Sequence, residues 1–99
     1  MTDRVRPSQL SPTEIESVLA KLGGDWRLVD STLERRWEFP SFDQAMAFVA
    51  AVALVAEEVD HHPDILIEYT KVTLNLWTHV TGGITERDVR LAHRLNELG

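Results

Sequence analysis

The sequence predicts an α+β fold in which helices cover the apolar face of an antiparallel sheet. Three observations carry that expectation. Apolar residues recur with helical spacing in three segments, and four shorter segments carry strand signals. The strand-like segments pair off across links of only a few residues, and such links join antiparallel neighbours. Ninety-nine residues are enough for one domain, expected over residues 1–99, with one modest core.

The first helix opens at Leu10-Ser11-Pro12-Thr13-Glu14-Ile15. Ser11 can cap it, Pro12 suits the first helical position, and Glu14 completes a capping box. Leu10 and Ile15 are placed to staple across the cap. Ile15, Val18, Leu19 and Leu22 keep helical spacing until Gly23-Gly24 stops the helix. Strands are expected over residues 26–29 and 33–39, joined at Asp30-Ser31-Thr32. In the second, Leu33, Trp37 and Phe39 share a face that Arg35 interrupts.

Pro40 ends that run, and Ser41, with Gln44 in the capping-box position, begins a second helix reaching about residue 58. Phe42, Ala45, Met46, Val49, Val52, Ala53 and Ala56 form an apolar stripe on it. Phe48, Leu54 and Val55 lie off that stripe and are apolar too. A helix apolar on nearly every side is buried on more than one. A domain this small covers one side well, so Phe48, Leu54 and Val55 are expected to meet a second copy of the chain. Two more strands follow over residues 65–69 and 71–79. In the latter, Val72, Leu74 and Leu76 point one way, and Thr73, Asn75, Trp77 and His79 the other. Gly82-Gly83 makes a turn. Ile84, Thr85, Asp88 and Val89 then open a last helix whose inner face is Leu91, Ala92, Leu95 and Leu98.

Composition narrows the function. The net charge is -6 with only ten Lys and Arg residues, scattered along the chain, which argues against direct nucleic-acid binding. With no cysteine, disulfides and thiolate zinc sites are excluded, and a reducing cytoplasm fits. Residues 1–8 carry no apolar core of a signal peptide. The longest apolar run, residues 45–56, falls short of the roughly 20 residues of a membrane span.

Three of the four histidines, His61, His62 and His79, fall within nineteen residues. Pro63 biases His62 toward extended backbone, where adjacent side chains point apart and flank a space. Imidazole titrates near pH 6.5, so neighbouring histidines can divide general-acid and general-base work. Asp60 and Asp88 could fix tautomers and support a positive charge. Plainer readings stand beside this one. Asp88 sits where a capping box wants an acid, and a His-His pair can be an exposed loop. Three histidines could hold zinc, although adjacent ones chelate a single ion poorly. His93 falls off the apolar stripe of its helix and reads as surface, and Trp26, Trp37 and Trp77 read as core or interface.

Glu57-Glu58-Val59-Asp60-His61-His62-Pro63, then Tyr69, Thr78-His79, Gly82-Gly83 and Asp88, resemble the signature of pterin-4a-carbinolamine dehydratases. Leu10-Ser11, Trp26, Phe39, Phe42, residues 45–49 and Glu86-Arg87-Asp88 extend the resemblance over roughly residues 8–98. It implies a four-stranded antiparallel sheet with three helices on one side. It also implies the removal of water from a 4a-hydroxytetrahydropterin, which recycles the cofactor of aromatic amino-acid hydroxylases. On that resemblance His61, His62 and His79 carry the acid/base work and Asp88 supports them. Asp60, His61, His62 and Pro63, with Thr78, His79, Val80 and Thr81, line the pterin site. No metal or cofactor is called for. The expected partners are the pterin, further copies of the chain as a homodimer or homotetramer, and a pterin-dependent hydroxylase of the same pathway. Animal members typically carry Trp-Phe soon after His-His-Pro, where this chain has Ile65-Leu66. Some relatives bind a transcription factor's dimerisation helix and others assist assembly of the carbon-fixing carboxylase, so a binding or assembly scaffold is the alternative. Relatives of the second kind tend to lose the catalytic residues, which this chain keeps.

Overall fold

The structure is a computed structural model that describes residues 7–99. Most of the leading segment read above for a signal peptide therefore lies outside the described residues. The elements are α1 (Pro12–Leu22), β1 (Arg27–Val29), β2 (Thr32–Glu38), α2 (Phe42–Val59), β3 (Asp64–Glu68), β4 (Lys71–Leu76) and α3 (Glu86–Asn96). The strands form one antiparallel sheet in the order β1-β2-β4-β3. The helices lie on one face of it, in the expected order and class.

Local chemistry explains the ends. Ser11 and Glu14 close the capping box reciprocally, with bonds of 2.8 and 3.2 Å. Gly23 at φ 106° ends α1 in a conformation that disfavours a β-carbon. The inner face of the sheet is set by alternation. Leu33, Leu74 and Leu76 are fully buried there, in one core with Leu91 and Leu95 of α3. Arg35 interrupts this face without leaving it. Its guanidinium lies 4.3 Å from the centre of the Trp37 ring and donates to Asn96 Oδ1 at 2.6 Å. Asn96 also accepts from Trp26 Nε1 at 2.7 Å and donates to the Leu22 carbonyl at 3.0 Å. One side chain thus ties the end of α1, the strand side and the end of α3 together.

Three expectations need correction. The fourth strand ends at Leu76, not at His79. Pairing with β2 stops at Leu33 opposite Leu76, and β3 begins at Asp64 opposite Asn75, so the next residues have no strand beside them. Leu98 lies beyond the end of α3 and is exposed. Finally, α2 is rotated from the face expected of it. Its buried residues are Ala45, Phe48, Val52, Val55 and Ala56, whereas Phe42 and Ala53 are exposed. A helix apolar nearly all round has no single stripe to set its rotation, and here aromatic packing sets it. Phe48 inserts 4.8 Å from Trp37 and 5.0 Å from Phe39. Of the three residues expected to face a partner, only Leu54 faces outward, 69% exposed.

Candidate active site

The site forms where α2, the end of β4 and the start of α3 meet. At the C-terminus of α2, Asp60 adopts a left-handed conformation (φ 55°, ψ 44°), which aspartate tolerates better than most residues. The His61 amide then donates to the Ala56 carbonyl at 3.1 Å. This turn swings His61 and His62 off the helix end. On the other side, Thr78 pairs with Gly83 in an isolated bridge, and Gly82 at φ 80° closes the turn that carries His79 and Val80. Gly83 is pressed under Gln9, whose side chain would lie 2.7 Å from any β-carbon there. Replacing Gly83 therefore requires that side chain to move.

Asp88 lies behind this arrangement, fully buried in the first turn of α3. Its Oδ1 is 2.6 Å from His61 Nε2. Its Oδ2 accepts from the Thr78 hydroxyl at 2.8 Å and from the Thr85 amide at 2.9 Å. One oxygen of Asp88 therefore caps the helix and the other faces a histidine. His62 has a carboxylate too: its Nε2 lies 2.5 Å from Glu57 Oε2, in an exposed pair one helical turn back along α2.

These groups surround an open cavity of about 240 Å³. Of the expected lining residues, Asp60, His61, His62, Thr78, His79 and Val80 are there. Pro63 and Thr81 are not, and the Thr81 hydroxyl instead donates to the Pro7 carbonyl at 2.8 Å. Trp77 and Arg87 line the cavity as well, and Glu57 backs His62, although sequence reasoning assigned none of them. The signal for Trp77 was present, since alternation put it on the side of His79. His93 is exposed on α3, away from the cavity. A larger hollow of about 420 Å³ is lined by Asp25, Arg27, Glu34 and Arg36, of which Arg27 and Glu34 pair at 2.8 Å, and no histidine lines it. Among the described residues no cluster of three or more His, Asp or Glu is arranged to hold a metal ion.

Chemically, this is a set of imidazoles on one cavity, two of them oriented by carboxylates, which is equipment for moving protons. Comparison with known proteins now decides the family. The family model described as pterin 4 alpha carbinolamine dehydratase matches residues 8–98. The chain belongs to that family. It is 48% identical over 91 residues to a protein of Thermomicrobium roseum, covering 92% of this chain and 97% of that one. It is 46% identical over 89 residues to one of Koribacter versatilis, covering 90% and 94%. Both carry the name "Putative pterin-4-alpha-carbinolamine dehydratase". Among solved structures, a transcriptional coactivator/pterin dehydratase from Brucella melitensis matches with a TM-score of 0.86 at 34% identity, covering 92% of this chain and 98% of that one. A pterin dehydratase-like protein identified as a RuBisCO assembly factor in the alpha-carboxysome matches with a TM-score of 0.63 at 30% identity, covering 78% and 92%.

Proposed function

We propose that this member of the family is an active hydro-lyase of the cytoplasm, dehydrating a 4a-hydroxytetrahydropterin to the quinonoid dihydropterin. The observation that carries the reading is the convergence of His61, His62 and His79 on one cavity, with Asp88 and Glu57 behind the first two. Loss of water breaks the C4a–O bond and forms the C4a–N5 double bond. An acid must protonate the departing hydroxyl, and a base must take the N5 proton. Histidines serve both roles near neutral pH, and the steps need neither metal nor redox cofactor. Asp88 accepts from Nε2–H of His61, leaving Nδ1 as the nitrogen free to exchange a proton. The quinonoid product would serve a pterin-dependent hydroxylase again only after a two-electron reduction by a separate reductase.

No helix among the described residues is long and apolar enough to cross a membrane. Self-association is part of the proposal: Phe42, Leu54, Ile65, Leu66 and Ile67 are exposed apolar residues of α2 and the edge strand β3. Exposed apolar residues on a helix and an edge strand suit a homodimer or homotetramer. A second reading, a binding or assembly scaffold, is favoured by the likeness to the RuBisCO assembly factor together with these same exposed residues.

Stopped-flow mixing with chemically prepared 4a-hydroxytetrahydropterin separates the two. Accelerated formation of the quinonoid product, unaffected by a chelator, supports the enzyme. Decay at the uncatalysed rate leaves the scaffold.

A further inference from the structure

Two of the three cavity histidines are held by carboxylates, and the third is held differently. Among the described residues no hydrogen bond or ion pair reaches the His79 ring, which sits on an exposed turn. Its imidazole lies instead against the Trp77 indole, with ring centroids 3.9 Å apart and planes inclined by 33°. The indole is itself anchored, because Trp77 Nε1 donates to Asp64 Oδ2 at 2.9 Å. Asp64 opens β3 immediately after His61-His62-Pro63, and Trp77 immediately follows β4. This bond therefore ties the segment carrying two of the histidines to the turn carrying the third.

An imidazole on a solvent-facing turn is free to change rotamer, and holding it costs side-chain entropy. A fixed indole face on one side removes part of that freedom before substrate arrives, and contact between aromatic rings is attractive. We propose that Trp77 is the positioning residue for His79 and that Asp64 sets the indole in place. Its consequence for turnover rests on the dehydratase reading. The contact itself does not.

The test uses the full chain, with Trp77→Leu, Trp77→Phe, Asp64→Ala and Asp64→Asn. Histidine ring protons are followed by NMR, with His79 assigned by the signal missing in His79→Ala, and kcat, KM and their pH profiles are measured on the 4a-hydroxypterin. In the wild type the His79 ring protons are expected upfield, shifted by the indole ring current. Trp77→Leu should abolish that shift, lower kcat roughly tenfold or more, move the pH profile, and change KM less, since small misplacements of reacting groups are costly. Asp64→Ala should broaden the His79 signals and lower kcat by a smaller factor. Asp64→Asn keeps an acceptor oxygen and should recover most of that loss, and Trp77→Phe should fall between wild type and leucine. Unchanged His79 signals with wild-type kcat and pH profile in Trp77→Leu would overturn the proposal. So would equal disturbance of the His61 and His62 signals, which would make Trp77 a general structural residue. A wild type without turnover would sink the dehydratase reading alone, because the ring-current shift still decides the contact.

Discussion

Replacing Asp88 by asparagine separates the two jobs of that residue. The Thr85 amide can only donate, so it holds the new side-chain oxygen on the helix side, where the Thr78 hydroxyl also donates. The amide nitrogen then faces His61 Nε2, where a carboxylate oxygen stood at 2.6 Å. Two donors cannot share that contact, so the His61 proton must move to Nδ1 and the ring is locked in the opposite tautomer. The helix cap survives, and what is lost is one charge-assisted bond replaced by a neutral one. That difference is about 1–2 kcal/mol of stability, or roughly 5–10 °C in melting temperature for a domain of this size. The catalytic loss should be far larger, on the order of 10²- to 10⁴-fold in kcat, as when an orienting carboxylate behind a catalytic histidine is replaced by its amide. Asp88→Ala is the contrast: it leaves the Thr85 amide buried without its partner and should cost about 3 kcal/mol or more. Thermal melts read the first quantity and stopped-flow dehydration the second. Wild-type kcat with a lowered melting temperature in Asp88→Asn would reduce Asp88 to a cap and refute the reasoning.

His61→Ala, His62→Ala and His79→Ala should each lose much of the turnover, about 10²-fold or more for a positioned acid or base, while His93→Ala stays near wild type. Equal behaviour of all four would discard the site. His61→Ala should also destabilise more than His62→Ala, because it strands a buried carboxylate whereas the His62–Glu57 pair is solvated. Leu54→Glu should shift sedimentation toward smaller species, and Val55→Glu should unfold the chain, since Val55 is part of the core. A wild type that sediments as a monomer at micromolar concentration counts against the assembly proposal. The Glu34 carboxyl is held below its ordinary value of 4.5, chiefly by the hydrogen bond from Arg27, with burial opposing. A depressed folded-state value gives stability that is present above the unfolded-state value and lost as pH falls through the folded one. Arg27→Ala should therefore flatten the acid limb of a urea-denaturation pH series by about 0.5 kcal/mol or less, and an unaltered limb would contradict the assignment.

Much of the site was legible because its parts are local. The adjacent histidines, the Gly82-Gly83 turn and the capping position of Asp88 are all short-range features that residue type announces. Which histidine meets which carboxylate was not legible. Asp88 and His61 are 27 positions apart, and Trp77 and Asp64 are 13 apart. Both contacts exist because β4 runs antiparallel to β3 and delivers the turn beside the end of α2. Glu57 escaped notice because only the turn at Asp60 folds His62 back toward the helix it has just left.

Helix caps, strand alternation and hairpin links are written in residues within a few positions of one another, so the sequence alone determined the order of elements, the α+β class and the identity of the histidines. Packing decided the rest. The rotation of α2 was open because apolar residues surround it, and the aromatic pocket of Trp37 and Phe39 chose Phe48 over Phe42. The end of β4 depended on where its neighbours stop. Which carboxylate backs which histidine, and that a tryptophan and not a carboxylate stands behind His79, followed only from segments brought together across the sheet. Those contacts join residues distant in the chain, and no local propensity encodes them.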